Sequence, residues 1–85
     1  MKTSEVIKVA EKELAALTRL EPTGVKGVSK DEEGWHVTVE MIEKKSIPDG
    51  MDLLALYEVI LDEEGFVLKF ERGRLRKRID TVEEG

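Results

Sequence analysis

The chain has 85 residues and a net charge of −5, and hydrophobic and charged residues make up 40 % and 39 % of it. This length suffices for one domain, residues 1–85, with a single core and a sheet covered on one face. The absence of cysteine excludes disulfides and thiolate metal sites. No apolar run approaches the ~18 residues of a membrane span, and no signal-peptide core follows the N-terminus. We therefore expect a cytoplasmic protein that does not contact a membrane.

Apolar residues near the N-terminus recur at spacings of three and four, which predicts an amphipathic helix over about residues 4–19. The apolar stripe consists of Val6, Ile7, Ala10, Leu14 and Leu17. Thr3 or Ser4 is the expected N-cap. The helix is expected to stop at the turn formed by Pro22 and Gly24, because proline cannot continue the hydrogen-bond ladder.

Beyond this turn the apolar period changes to two, which predicts four β-strands. The strands cover about residues 25–30, 35–43, 53–61 and 66–74. The segments Asp31–Gly34 and Asp62–Gly65 are expected to be tight hairpin turns. One helix followed by a four-stranded antiparallel meander predicts an α+β fold, in which the helix packs on one face of the sheet. Trp35 is expected to anchor the helix against the sheet.

The third predicted strand is apolar on both faces. One face carries Leu53, Ala55, Tyr57, Val59 and Leu61, and the other carries Leu54, Leu56, Glu58 and Ile60. Because a single helix covers only one face, we expect Leu54, Leu56 and Ile60 to lie on an open face, with Ile42 and Val67 as further candidates. Contiguous exposed apolar area usually marks an interface, so the candidate partner-binding residues on this face are Leu54, Leu56, Glu58 and Ile60. The alternatives are a loop or the C-terminal segment that covers this face, or a bulged strand.

A basic strip near the C-terminus stands out against the acidic remainder. From Lys69 to Arg78 the charge is +5, so the rest of the chain carries −10. Such a strip is more often a solvated strand edge and tail than a docking surface. The candidate partner-binding arginines on it are Arg72, Arg74, Arg76 and Arg78. A nucleic-acid-binding regulator is the alternative function, disfavoured because most of the aromatic residues needed for base stacking are expected in the core.

The sequence offers few candidates for catalytic or metal-binding residues. His36 is the only histidine, and we expect it to be an ordinary surface residue, so we predict no metal or cofactor. Glu40, Glu43 and Glu58 are candidates for acid–base chemistry if one of them is buried. Cross-strand ion pairs on a solvated face are the favoured interpretation. We therefore predict no catalytic residue and a protein that is not an enzyme.

Several motifs occur in a fixed order along the middle and end of the chain. They are Gly34-Trp35-His36-Val37-Thr38-Val39-Glu40, Glu43, Ile47-Pro48, Asp52-Leu53-Leu54-Ala55-Leu56-Tyr57-Glu58-Val59, and Leu61-Asp62 with Gly65. In this order and spacing they resemble the gas vesicle synthesis protein GvpO family. The resemblance covers about residues 21–78, and its specificity lies in the ordered set of motifs with its spacing, since Gly-Trp and Leu-Asp-x-x-Gly are each common in hairpins.

The resemblance implies a non-enzymatic accessory protein that is needed to make gas vesicles, the protein shells that give microbes buoyancy. Members of the family are cytoplasmic and are thought to act with other accessory gas vesicle proteins, with the small hydrophobic shell protein as a further candidate partner. Association with gas vesicles and formation of a homo-oligomer are left open. No catalytic residues carry over, and Trp35, Tyr57 and Pro48 match the family pattern as structural residues.

Overall fold

A computed structural model describes residues 2–44 and 52–77, and the side chains at positions 74, 76 and 77 lie outside that description. It contains one helix followed by a four-stranded antiparallel sheet, which confirms the predicted α+β fold. The elements are α1 (Thr3–Thr18), β1 (Glu21–Lys30), β2 (Trp35–Lys44), β3 (Leu53–Leu61) and β4 (Val67–Lys77). The strands follow each other in space in chain order, as a meander requires.

The apolar stripe of α1 faces the sheet, but it is rotated relative to the predicted one. Val6, Ala10 and Leu14 are fully buried at spacings of four. Ile7 is only half-buried, and Leu17 is 49 % exposed, so the prediction for Leu17 was wrong. The physical reason is that the buried face is centred on Val6, Ala10 and Leu14, so Ile7 lies at its margin and Leu17 lies outside it.

Both ends of α1 differ from the predicted caps. The N-cap is Lys2, whose backbone N–H donates to the Glu5 carboxylate at 2.9 Å. At the other end Arg19 adopts a left-handed conformation, with φ 62°, and its N–H donates to the Ala15 carbonyl. The helix therefore ends before Pro22, which instead lies in β1. An edge strand tolerates proline because the missing N–H faces away from the ladder.

The core lies between α1 and one face of the sheet. Directly opposed residues of β2 and β3 supply its centre. These pairs are Trp35 with Leu61, Val37 with Val59, Val39 with Tyr57, and Met41 with Ala55. Trp35 packs against this core while remaining half-buried, with the Lys30 ammonium 5.2 Å from its ring centroid. The alternation in the sequence thus identified the face of the sheet that meets the helix.

The opposite face of β3 is less open than predicted. Leu54 and Ile60 are each only 2 % exposed, Ile42 is also buried, and Leu56 is half-buried. Val67 lies opposite Leu61 and packs against the core on the helix side. The prediction of an exposed apolar face at Leu54 and Ile60 was therefore wrong. Since β2 and β4 flank β3, both neighbouring strands place a residue directly opposite Leu54 and opposite Ile60.

The turn between β1 and β2 requires glycine at position 34. Gly34 has φ 144°, and a Cβ atom there would lie 2.3 Å from the carbonyl oxygen of Leu61. The Asp31 carboxylate accepts hydrogen bonds from the N–H groups of Glu33 and Gly34, which fixes the turn. The glycine therefore allows the hairpin to approach the end of β3.

We expect Leu14→Ala to lower the free energy of unfolding by about 2–5 kcal/mol, because it leaves a cavity between α1 and the sheet. Leu17→Ala removes the same atoms from an exposed position and is expected to change it by less than about 0.5 kcal/mol. Urea denaturation monitored by circular dichroism measures both. Equal losses would contradict the observed rotation of the helix.

We also expect Gly34→Ala to destabilise the fold by more than about 1 kcal/mol, because the added methyl group meets backbone and the residue must keep a positive φ. Gly27→Ala is the matched control, since its Cβ would meet no atom within 4 Å. The shift in urea midpoint relative to wild type is the measurement. A larger loss for Gly27→Ala would refute this account of the turn.

Candidate protein-binding surface

Exposed apolar side chains concentrate at β4. Among the described residues, four of the five large exposed hydrophobic side chains lie within residues 66–75. They are Phe66 at 65 %, Leu68 at 52 %, Phe70 at 39 % and Leu75 at 42 % exposed. Lys69 and Arg72 between them are exposed as well. We call Leu68, Lys69, Phe70, Arg72 and Leu75 the β4 surface.

The lateral position of α1 explains this exposure. The helix contacts chiefly β1 and β2 and, less extensively, β3. Phe70 lies opposite Val59 and Leu75 lies opposite Ala55, so both share the helix side of the sheet. They stand on the strand farthest from the helix, which leaves them uncovered. The prediction that most aromatic residues fall in the core was therefore wrong for Phe66 and Phe70.

A polar cluster lies where the β4 surface meets the core. The Tyr57 hydroxyl donates a hydrogen bond to Glu43 Oε1 at 3.1 Å, and Arg72 Nη1 lies 3.7 Å from Glu43 Oε2. Burial and the Glu43 carboxylate both raise the pKa of Tyr57, so its hydroxyl stays protonated at neutral pH. Arg72 is thus held beside a carboxylate while half of its side chain remains exposed.

The remaining predicted partner-binding residues are divided between two faces. Glu58 is partly exposed on the face opposite the helix. The backbone of β4 places Arg74 and Arg76 on that strand, with Arg76 opposite Leu54. Arg78 lies outside the described residues. The structure therefore brings the described part of the basic strip together with exposed apolar residues, a combination that sequence reasoning missed.

A shallow groove of about 610 Å³ extends across β2, β3 and β4. It is lined by Thr38, Leu56, Tyr57, Glu58, Glu71, Arg72 and Gly73. Glu58 and Glu71 lie directly opposite each other on β3 and β4. This pairing is unfavourable because both side chains carry a negative charge. The groove thus combines an acidic pair with the partly buried Leu56.

His36 is the centre of an acidic cluster and is less isolated than predicted. Its Nε2 lies 2.9 Å from Asp31 Oδ1, and its Nδ1 lies 3.5 Å from Glu58 Oε2. Glu33 Oε1 is 3.7 Å from Nε2. The hydrogen bond to Asp31 raises the pKa of His36 above its usual value. The hydrogen bonds that Asp31 accepts from the Glu33 N–H and from His36 lower the pKa of the Asp31 carboxyl. The hairpin turn and β3 are thereby linked through one imidazole.

Asp31, Glu33 and His36 place one potential ligand atom each within 4.8 Å of one another, close enough to hold a cation. Asp31 Oδ1, however, already accepts bonds from two backbone N–H groups of the turn and from His36. The turn and the imidazole thus account for the position of this carboxylate. The hairpin turn therefore explains why Asp31, Glu33 and His36 lie close together, without a bound cation.

The three carboxylates considered for acid–base chemistry do not meet at one point. Glu40 is buried, accepts a hydrogen bond from the Thr23 hydroxyl at 2.9 Å and lies 3.8 Å from the Lys26 ammonium. Its burial contradicts the predicted solvated position. Glu43 engages Tyr57, whereas Glu58 engages His36. Among these contacts, Glu40, Glu43 and Glu58 each engage a different side chain.

Comparison with known proteins decides the family. The model of the family described as gas vesicle synthesis protein GvpO matches residues 1–81. This chain belongs to the GvpO family. The match confirms the resemblance carried by the ordered motifs. No solved structure matches the chain.

Three relatives carry the name gas vesicle protein O or O1. The protein from Streptomyces sp. (strain CB03234) is 41 % identical over 75 residues, which cover 81 % of this chain and 59 % of the relative. The Halobacterium salinarum protein is 38 % identical over 60 residues, covering 71 % and 50 %. The Haloferax mediterranei protein is 36 % identical over 52 residues, covering 61 % and 37 %. The chain thus spans between about a third and three fifths of these relatives.

The described residues contain no helix long and apolar enough to cross a membrane. Two surfaces of contrasting chemistry are present among the described residues. One combines apolar and basic side chains on β4, and the other gathers carboxylates around His36.

The raised pKa of His36 predicts a pH-dependent contribution to stability. Asp31 raises this pKa in the folded state, so the stabilisation is fully present below the ordinary value of 6.5 and is lost as pH rises through the folded pKa. We therefore expect His36→Gln to lower the urea midpoint more at pH 5.5 than at pH 8.5. In an Asp31→Asn background the difference between the two pH values should shrink. A cost of His36→Gln that is independent of pH would overturn the assignment.

Proposed function

We propose that this protein is a non-enzymatic accessory factor of gas vesicle formation that acts in the cytoplasm by binding other gas vesicle proteins through the β4 surface. Membership in the GvpO family supplies the process. The observation that supports binding is the cluster of exposed apolar side chains on a small, highly charged domain. Contiguous exposed apolar area of this kind usually marks an interface.

The chemistry of the β4 surface suits protein recognition. Phe70 and Leu75 offer apolar area, and Arg72 offers a charged group that Glu43 helps to hold in place. Aromatic and arginine side chains dominate the binding energy of many protein interfaces. Arg72 and the strand that carries Arg74 and Arg76 belong to the proposed interface. Leu54 and Ile60 are buried, so the exposed apolar residues of β4 take their place in it.

Nucleic-acid binding is the second candidate function because Phe66 and Phe70 are exposed beside basic residues. Aromatic side chains next to a basic track are the elements that stack bases and contact phosphates. The net charge of −5 and the acidic cluster around His36 oppose a general affinity for nucleic acid. Affinity for single-stranded RNA that falls steeply with salt would favour this candidate over protein binding.

The test of the proposed function is capture of gas vesicle proteins co-expressed from the same gene cluster. Wild-type protein is expected to retain at least one of them, including the shell protein among the candidates. The double variant Phe70→Asp/Leu75→Asp should reduce capture at least tenfold, because it places carboxylates in the apolar part of the surface. Quantitative mass spectrometry of the retained proteins provides the measurement.

Leu17→Asp is the matched control, since Leu17 is as exposed as these residues but lies on α1. Circular dichroism must show that all variants remain folded. Equal capture by the wild type and the double variant would remove binding from the β4 surface. Failure of the wild type to capture any gas vesicle protein would contradict the proposed function itself.

A further inference from the structure

We propose that β4 binds an acidic, extended segment of another protein as a fifth strand of the sheet. This inference rests on the proposed function and names the chemistry and geometry of the partner. It follows from three features of the described residues: an unpaired strand edge, a local positive charge, and apolar side chains that α1 leaves uncovered.

The first feature is the free edge. Among the described strands, β4 pairs only with β3, so its other side lacks a neighbouring strand. An edge strand presents alternating backbone N–H and C=O groups that another extended segment can pair with. β4 has two register shifts, one between Val67 and Lys69 and one between Arg72 and Leu75, and it keeps a regular stretch from Lys69 to Arg72 between them. We place the added strand along this stretch.

The opposite edge of the sheet is poorly suited to the same role. β1 contains Pro22 beside one of its two register shifts, and its regular stretch, Gly27–Lys30, carries no large exposed hydrophobic side chain. Proline on an edge strand is a common means of preventing strand addition. The helix also makes its most extensive contacts with β1. The two edges therefore differ, and only β4 combines a regular stretch with exposed apolar side chains.

The charge of β4 selects the occupant. The segment Val67–Lys77 contains five lysine and arginine residues and one glutamate, a net charge of +4. Two copies of this strand placed side by side would repel each other, which disfavours pairing between two copies of the protein. An acidic segment would be attracted by the same charge, and complementary charges speed encounter and fix register.

Side-chain geometry adds a requirement for apolar residues in the partner. Phe70 and Leu75 share the helix side of the sheet with Arg72, which already has the Glu43 carboxylate at 3.7 Å. Side chains of a neighbouring strand stand about 5 Å away on the same face. A partner with apolar and acidic residues in alternation would therefore cover Phe70 with its apolar face and offer carboxylates on the other face of the sheet, which carries Lys69.

The probe for this inference is a fluorescein-labelled ten-residue peptide in which glutamate and valine alternate. We expect saturable binding by fluorescence anisotropy and slower amide hydrogen exchange at Lys69–Arg72. Phe70→Asp should weaken binding at least tenfold, whereas Leu17→Asp should leave it unchanged. A peptide with lysine in place of glutamate should bind at least tenfold more weakly.

Three outcomes would overturn the inference. They are absence of binding by the acidic peptide, equal binding of the lysine peptide, and binding without added protection of the β4 amides. Tighter binding of a single-stranded oligonucleotide that protects the same amides would assign the strand to nucleic acid. Concentration-dependent dimers in sedimentation, with those amides protected in the absence of peptide, would assign it to a second copy and equally refute the proposal.

The peptide assay and the capture experiment separate the two proposals. Capture of gas vesicle proteins that persists in Phe70→Asp, without peptide binding, would reject strand addition and retain the accessory function. Peptide binding without capture of any gas vesicle protein would retain the surface and reject the function. If both proposals hold, Phe70→Asp should weaken both peptide binding and the capture of gas vesicle proteins.

Discussion

The width of a single helix governs the structure. An α-helix with its side chains is about 10 Å across, whereas the outer strands of a four-stranded sheet lie about 14 Å apart. Because Val6, Ala10 and Leu14 place α1 mainly over β1 and β2, the helix cannot also cover β4. The exposure of Phe70 and Leu75 follows from this position, since both lie on the helix side of the farthest strand.

The same constraint explains what sequence alone could predict. Alternation located all four strands and matched the bounds of β3, and the aspartate–glycine segments located the hairpin turns. Periodicity shows which residues share a face, but the lateral position of the helix over the strands is set by packing between distant elements. The exposure of Phe70 could therefore not be predicted, although it belongs to the apolar pattern that marked the strand. Likewise, Leu54 and Ile60 are buried by residues that are distant in the chain, which the periodicity of the sequence does not reveal.

Register rather than composition creates the cluster around His36. The turn places Asp31 Oδ1 2.9 Å from Nε2 of the imidazole. The pairing of β2 with β3 places Glu58 Oε2 3.5 Å from Nδ1. No spacing motif in the sequence signals this arrangement, because Glu58 lies 22 positions away in the chain. The turn signal Asp31–Gly34 could have suggested the contact within the hairpin, since an aspartate that caps a turn lies close to the strand that follows.

Charge on an exposed edge strand has two effects that need not conflict. Lysine and arginine on β4 hinder pairing between identical edges, which protects a small domain with exposed apolar side chains from aggregation. The same residues leave the backbone edge available to a segment of opposite charge, because repulsion acts only between like charges. Neutral polar residues would provide neither the protection nor the selectivity. The basic strand in an acidic chain is therefore consistent with an edge that excludes its own copies and accepts a different partner.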